Sequence, residues 1–304
     1  MIYTVTLNPA IDYVIRLDDK LQLGSINRNR AEDVQFGGKG INVSGVLHAL
    51  GKETVALGFI AGFTGDGLEK GLQEQGIKTD FIRVRDGLTR INVKVKADLE
   101  TEINGIGPTI TDTDMETLWQ KLDKLTAEDY LVLSGSIPAC LGNDTYEQIM
   151  QRLQDRNIPV VVDATKSLLC NVLKYRPFLI KPNHIELGEI FGQELTTDLQ
   201  IRSCAQKLQE MGARNVLVSM AADGAMLLAE NGSYYRIACP KGTVVNSVAA
   251  GDSMVAGFLA GYLETGDYAA ALRLGVAAGS ATAFSIGLAD KEMIMKLLMQ
   301  IQGG

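Results

Sequence analysis

Short apolar runs alternate with helical patterns along most of the chain. Residues 2–7 and 54–61 are the first two runs, and each reads as a short buried strand. Between them, the apolar positions of residues 40–50 recur at helical spacing from Val43 to Leu50. The pattern therefore predicts strands that alternate with helices from the start of the chain.

The alternation becomes regular after residue 111. Predicted strands cover 130–134, 158–163, 178–180 and 215–219. Predicted helices cover 112–125, 144–155, 166–174, 184–191, 198–211, 252–263, 267–286 and 290–301. The dipeptide Asn231-Gly232 predicts a two-stranded hairpin. Strands separated by helices of this length indicate βαβ units, so we predict an α/β fold with a mainly parallel sheet.

Two stretches interrupt this rhythm. Residues 89–106 alternate apolar and polar side chains on both sides of a turn, which predicts an amphipathic hairpin. Residues 11–36 lack helical periodicity and are rich in charge. We expect the two stretches to form a small sheet outside the main one.

Composition excludes several classes of protein. The chain has 304 residues, of which 46% are hydrophobic and 21% charged, so it is not dominated by disorder. Its 29 basic and 36 acidic residues give a net charge of −7. Nucleic-acid binding needs a basic face, so no nucleic-acid partner is expected.

Neither a membrane nor a metal cluster is expected from the sequence. The longest late uncharged stretch, residues 274–289, is too short to span a bilayer. Residues 1–13 lack the features of a signal peptide, and a cytoplasmic protein is expected. The 4 cysteines show no CxxC spacing, and the chain has only 2 histidines. The sequence therefore offers few residues that could form a zinc site or a Ser-His-Asp triad.

The first glycine-rich motif is FGGKGIN, residues 36–42, directly before a predicted helix. Glycine allows the backbone to approach a ligand, and the free N–H groups of a helix start favour anions. Lys39 adds a positive charge, and Asn42 adds a donor and an acceptor. The motif is not a Walker A sequence. A plain turn before a helix is the alternative interpretation.

The second motif is NSVAAGDS, residues 246–253, which also opens a predicted helix. The N–H groups of residues 249–251 could hold a developing negative charge while Asp252 accepts a proton. The alternative is an acidic residue that only complements the helix dipole.

The third motif is SMAADGA, residues 219–225, which follows the predicted strand 215–219. Ligands of α/β sheets bind outside the carboxyl ends of the strands, where this turn lies. A purely structural turn remains the alternative, because Asp-Gly is frequent in turns.

Together, the first two motifs resemble the signatures of the ribokinase-like carbohydrate kinases of the phosphofructokinase B type. They lie roughly 210 residues apart in the same order, and the resemblance covers the whole chain. Ala249 stands where the family usually has glycine. The resemblance implies a three-layer αβα ribokinase-like fold in a single domain, residues 1–304, with a small lid of β-strands from approximately 11–36 and 88–107.

The resemblance also implies a catalytic site for transfer of a phosphoryl group from ATP. Asp252 matches the base that deprotonates the acceptor hydroxyl, and Ala249, Ala250 and Gly251 match the anion hole beside it. Asn183 and Glu186 match an NxxE stretch that acts on magnesium-bound phosphate through water. The remaining positions implied to bind ATP are Lys181, Ser219, Ala221, Asp223, Gly224, Gly251 and Ser280.

The substrate positions follow from the same resemblance. Asp12 matches a carboxylate that binds sugar hydroxyls. The other implied substrate-binding residues are Gly38, Lys39, Asn42, Arg90, Ser136 and Arg28. The stretches TRIN, residues 89–92, and SGSIP, residues 134–138, resemble members whose substrate is already phosphorylated. Surface charge is the alternative interpretation for Arg90 and Arg28.

The implied reaction is phosphorylation of a ketohexose phosphate with ATP and Mg²⁺. Fructose 1-phosphate is the expected substrate and tagatose 6-phosphate the alternative, since the sequence does not place the substrate phosphate at C1 or C6. In relatives such lids often pair two subunits, so a homodimer through the lid is expected.

Three other functions remain to be distinguished. A kinase of nucleosides or unphosphorylated sugars would not need Arg90. A sugar-phosphate sensor without activity would not need Asp252. A dinucleotide oxidoreductase is disfavoured, because GFTGDG, residues 62–67, is not a GxGxxG motif.

Overall fold

The computed structural model describes residues 1–303. The strands in that part of the chain are Ile2–Thr6 (β1), Ala10–Arg16 (β2), Ala31–Gly37 (β3), Thr54–Ala61 (β4), Lys78–Thr79 (β5), Ile82–Val84 (β6), Arg90–Lys96 (β7), Glu100–Asn104 (β8), Tyr130–Ser134 (β9), Val160–Asp163 (β10), Leu179–Ile180 (β11), Asn215–Ser219 (β12), Ala225–Leu228 (β13) and Tyr234–Ile237 (β14). The helices are Lys39–Ala49 (α1), Gly62–Glu74 (α2), Asp112–Leu122 (α3), Thr145–Leu153 (α4), Lys166–Val172 (α5), His184–Phe191 (α6), Asp198–Glu210 (α7), Ala250–Thr265 (α8), Tyr268–Ala283 (α9) and Lys291–Gln302 (α10).

The main sheet has the strand order β14-β13-β12-β11-β10-β9-β1-β4-β5, and β6 also pairs with β4. Every pair from β12 to β5 is parallel. At one edge, β13 runs antiparallel to both of its neighbours, β12 and β14. The carboxyl ends of the parallel strands therefore meet at one edge, where an α/β sheet binds its ligands.

Helices cover both faces of the main sheet, because its strands alternate their side chains between two apolar clusters. Leu131 and Leu133 of β9 pack with helices α3 to α7 on one face. Val132 between them packs with α1, α8, α9 and α10 on the other. The helix α2 lies over β4 beside α1. The predicted three-layer α/β fold with a mainly parallel sheet is confirmed.

A second, four-stranded sheet has the order β3-β2-β7-β8. It is built from the two stretches, residues 11–36 and 89–106, that do not follow the alternation of strands and helices. β2 runs parallel to β7, with Asp12 opposite Asn92, while both outer pairs are antiparallel. Since side chains alternate along a strand, Asp12 and Asn92 share one face of this small sheet. The predicted small sheet is confirmed.

The sequence pattern missed the start of α2 and two short strands. The sequence predicts a helix from Asp66 to Gln75, but α2 starts at Gly62. Its buried face includes Gly65 and Gly71, and glycines are not counted in a hydrophobic pattern. A side chain at Gly71 would clash with the ring of Phe36, so the position needs glycine for close packing. β5 and β6 span only 2 and 3 residues, too few to show alternation.

The helices within residues 1–303 do not include one with the length and apolar character needed to cross a membrane.

Candidate active site

A cavity of about 450 Å³ lies between the carboxyl edge of the main sheet and the polar face of the small sheet. It combines the ends of β1, β9 and β10 with the amino-terminal ends of α1 and α8. Its lining is Thr6, Asn8, Ala10, Asp12, Gly38, Lys39, Asn42, Arg90, Asn92, Ser134, Gly135, Ser136, Asp163, Lys181, Val248, Ala249, Gly251 and Asp252. The two glycine-rich helix starts, far apart in the sequence, thus meet in one cavity.

Asp252 lies in the first turn of α8 and is almost completely buried. Its carboxylate accepts a hydrogen bond of 2.8 Å from the side-chain amide of Asn42. Burial, together with the negative charge of Asp163, raises the pKa of Asp252 to about 6, although Asn42 and two nearby lysines oppose that shift. A carboxylate with such a pKa is ionised at neutral pH and is well matched to accept a proton.

The backbone before Asp252 turns sharply. Ala249 is the N-cap of α8 with φ of 64°, a left-handed conformation that costs a non-glycine residue roughly 1–2 kcal/mol. The chain therefore keeps the turn although alanine stands at this position. The N–H of Ala250 bonds to the carbonyl of Ser247 at 3.3 Å, while the following N–H groups lie in the first turn, where a helix supplies no acceptors. This helix start can receive an anion.

Asp163 is a central residue of the site that the sequence interpretation did not include. It ends β10 and is buried between Lys39 and Lys181, whose ammonium groups each lie 3.3 Å from one of its carboxylate oxygens. Burial would raise its pKa, but the two lysines outweigh burial and lower the pKa of Asp163. Burial likewise opposes the charge of Lys39, yet Asp163 and Asp252 raise the pKa of that lysine. In the sequence, Asp163 is marked only as the acidic residue that follows the three valines of residues 160–162.

The small sheet contributes polar groups to the opposite wall. Asp12 accepts a hydrogen bond of 2.8 Å from the side-chain amide of Asn92 and forms an ion pair of 3.1 Å with Lys94. Arg90 is partly buried and donates through Nε to the carbonyl of Asn8 at 3.1 Å. Burial lowers the pKa of Arg90, and within residues 1–303 its guanidinium forms no salt bridge. That cation can therefore receive an anionic ligand.

The predicted ATP-binding residues lie mostly beside this cavity rather than in its lining. Lys181 and Gly251 line it, whereas Asn183 and Glu186 cap the start of α6 reciprocally. A backbone bridge between Asn183 and Ser219 brings the end of β12 next to that cap. The remaining positions are Ala221 and Asp223 in the turn after β12, Gly224 just before β13, and Ser280 on α9.

Gly224 has a conformational reason to be glycine. Its φ is 87°, and a Cβ atom there would lie 2.1 Å from the carbonyl oxygen of Ile237. This requirement explains the glycine after Asp223 without any ligand, so the motif by itself does not show nucleotide binding.

Arg28 is the one predicted substrate residue that the structure places away from the cavity. It lies on the exposed connection between β2 and β3, outside the cavity lining. The other predicted substrate residues, Asp12, Gly38, Lys39, Asn42, Arg90 and Ser136, are all in the lining.

Comparison with known proteins finds matches over nearly the whole chain. The family model for pfkB family carbohydrate kinases matches residues 3–293. The chain is 46% identical to 1-phosphofructokinase of Bacillus subtilis over 99% of both chains. It is 37% identical to D-tagatose-1-phosphate kinase of Bacillus licheniformis, again over 99% of both. The structure of phosphofructokinase-2 from Escherichia coli in complex with substrates and products has a TM-score of 0.92 at 26% identity and 99% coverage of both chains.

Proposed function

Since the chain belongs to the pfkB family of carbohydrate kinases, we propose that it transfers the terminal phosphoryl group of ATP to fructose 1-phosphate. The products are fructose 1,6-bisphosphate and ADP. The observation that supports this most directly is the cavity itself. It sets an almost completely buried carboxylate, Asp252, opposite a guanidinium without a carboxylate partner, Arg90. A base and an anion anchor on opposite walls suit a sugar that already carries a phosphate.

The second candidate substrate is a tagatose phosphate, because one relative is named for D-tagatose 1-phosphate. That name places the substrate phosphate on carbon 1, as in fructose 1-phosphate. The relatives therefore favour tagatose 1-phosphate over tagatose 6-phosphate as the alternative for this chain. Both candidates with a C1 phosphate present the same end of the sugar to Arg90.

The residues suggest a role for each wall of the cavity. The acceptor hydroxyl oxygen attacks the γ-phosphorus, the bond to the oxygen bridging the β- and γ-phosphorus breaks, and ADP leaves. Asp252 takes the proton of the attacking hydroxyl. The first N–H groups of α8 and the ammonium of Lys181 stabilise the negative charge of the transferring group. Arg90 and Lys39 hold the phosphate of the sugar, and Asp12 accepts hydrogen bonds from its hydroxyls.

ATP and Mg²⁺ belong to the same proposal. Among residues 1–303 no cluster of three or more acidic, histidine or cysteine side chains could enclose a metal. That fits a magnesium ion that arrives with the phosphates of ATP and keeps its waters. Glu186 uses one carboxylate oxygen in the cap of α6, which leaves the other for such a water. Asn183, Ser219, Ala221, Asp223, Gly224 and Ser280 would lie along the nucleotide.

The raised pKa of Asp252 predicts an acid limb in the pH profile. Because only the ionised carboxylate can accept a proton, kcat/KM should fall about tenfold per pH unit below about pH 6. Asn42 stabilises the ionised form, so Asn42→Ala should move the limb to higher pH. Steady-state kinetics from pH 5 to pH 8 measure both, and a profile flat down to about pH 5 would contradict the role of Asp252.

Arg90 should determine binding of the sugar phosphate. Arg90→Ala removes a charge-assisted contact worth about 1.5–3 kcal/mol, so KM for fructose 1-phosphate should rise about 10- to 100-fold with a smaller change in kcat. Arg16→Ala, at the far end of β2, is the matched control and should leave KM unchanged. An unchanged KM in Arg90→Ala would instead favour a kinase of unphosphorylated sugars.

We also propose that the small sheet acts as a lid and pairs two subunits. Its face away from the cavity is apolar and open to solvent, with Val34, Ile91 and Ile103 exposed by 50%, 41% and 64%. The register puts these side chains on the same face as Tyr13 and Val93. A second copy of the chain would bury this face, since large contiguous apolar patches are rare on monomers.

A charge in that face should therefore separate the subunits. Ile103→Glu should reduce the mass measured by light scattering from about twice 32.8 kDa to 32.8 kDa. Leu199→Glu, which alters a side chain 79% exposed on α7, should keep the dimer. A wild-type chain that is monomeric at high concentration would show the proposal to be wrong.

A further inference from the structure

A second cavity, of about 250 Å³, lies at the opposite ends of the two catalytic helices. The end of α1, the last turns of α8, the start of α9 and one side of α10 form its walls. Its apolar floor includes Leu50, Leu274 and Leu298. Its volume lies just below the range of about 300–1,000 Å³ that is typical of ligand pockets, so it suits a small ligand with an apolar body.

The charged groups around this cavity are mainly cationic, although the net charge of the whole chain is −7. The lining includes Lys52, Arg273 and Lys291 but only one acidic residue, Glu264. Lys52 and Glu264 neutralise each other in an ion pair of 3.3 Å. The two other cations therefore remain as a surplus of positive charge.

Arg273 is the more informative of these two cations because it is partly buried on α9. Within the described part of the chain, the side chains of Arg273 and Lys291 form no hydrogen bond and no ion pair. An arginine at an apolar cavity with all its donors available is suited to bind a carboxylate or phosphate.

The position of the cavity connects it to the active site. α1 begins at Lys39 and α8 begins just before Asp252, and the two helices pack against each other. The hydrogen bond from Asn42 to Asp252 joins their amino-terminal ends in the catalytic cavity. The second cavity contacts the same two helices at their other ends. A molecule bound there would touch both elements that hold the proton acceptor in place.

We propose that this second cavity is a binding site for a small amphipathic anion, a carboxylate or phosphate on a short apolar body, and that its occupancy changes turnover at the catalytic cavity. The ring or chain of the ligand lies on the leucine floor. Its anionic group lies against Arg273, with Lys291 at the mouth.

A brominated probe, 3-(4-bromophenyl)propanoate, tests the site directly. In crystals soaked with the probe, the anomalous signal of bromine should lie over Leu50 and Leu298, with the carboxylate on Arg273. In calorimetry with ADP and fructose 1,6-bisphosphate present to fill the active site, Arg273→Gln should weaken binding at least tenfold. Lys296→Gln, on the exposed side of α10, is the matched control and should not. The uncharged amide of the probe should bind at least tenfold more weakly than the acid.

Kinetics test the coupling separately. With saturating substrates, the probe should change kcat at least twofold in the wild type and in Lys296→Gln, but not in Arg273→Gln. No bromine signal in this cavity, binding at crystal concentration only, or equal binding of acid and amide would overturn the site. Binding with unchanged kcat would overturn the coupling. The crystallographic result does not depend on which sugar phosphate is the substrate, whereas the calorimetry rests on the proposed function, because fructose 1,6-bisphosphate must fill the active site.

Discussion

Asp252→Asn should lower kcat by about 100- to 10,000-fold, the range that a positioned general base contributes. The substitution is nearly isosteric, so the hydrogen bond with Asn42 at 2.8 Å can persist after rotation of either amide. Asparagine cannot accept the proton of the attacking hydroxyl. The substrate contacts of Arg90 and Asp12 are untouched, so KM should change little.

The matched control is Asp112→Asn. Asp112 also lies in the first turn of a helix, α3, but it is exposed and far from the cavity. It should keep wild-type kcat. Rapid-quench measurement of a single turnover separates the chemical step from product release. Wild-type turnover in Asp252→Asn would mean that Asp252 only complements the dipole of α8 and that another group removes the proton.

Asp163→Asn should have the second-largest effect, because one buried carboxylate positions two lysines. Both ammonium groups lie 3.3 Å from it. Without the negative charge, Lys39 and Lys181 lose the partner that fixes them, and a misplacement of about 1 Å can cost roughly 100-fold in rate. We expect kcat/KM to fall by about that factor. Leaving the buried Lys181 without its partner should also lower the free energy of unfolding by about 3 kcal/mol.

The pH profile distinguishes positioning from a merely structural role of Asp163. Its charge is one of the causes that raise the pKa of Asp252, so Asp163→Asn should move the acid limb to lower pH. Loss of stability alone would leave the limb in place. Asp144→Asn changes an exposed carboxylate next to α4 and is the matched control. It should leave both the acid limb and kcat/KM unchanged. An unmoved limb together with wild-type kcat/KM would contradict the role given to Asp163.

Local signals in the sequence were enough to predict most of the fold. The order of buried strands and periodic helices indicated the parallel sheet, and the amphipathic stretch around Val93 and Val95 indicated the second sheet. The glycine-rich helix starts at Gly38 and Gly251 were predicted to bind ligands, and both line the cavity. These features depend on neighbours in the sequence, which a single sequence shows.

The parts that the sequence did not show depend on contacts between distant segments. Asp163 looks like any acidic residue at the end of a strand until Lys39 and Lys181, 124 and 18 residues away, are brought to it. Arg28 looked like an anchor because of its charge, but the connection after β2 holds it outside the cavity. Asn183 and Glu186 form the capping box at the start of α6. Their contact with a nucleotide remains a prediction.

The most direct test of the account is the release of ADP from MgATP with a panel of acceptors. The panel contains fructose 1-phosphate, tagatose 1-phosphate, tagatose 6-phosphate, fructose 6-phosphate and free fructose. We predict the highest kcat/KM for fructose 1-phosphate, with a marked loss when the C1 phosphate is absent. Preference for free fructose, or equal activity with and without the C1 phosphate, would contradict the proposal that Arg90 and Lys39 hold the substrate by its phosphate.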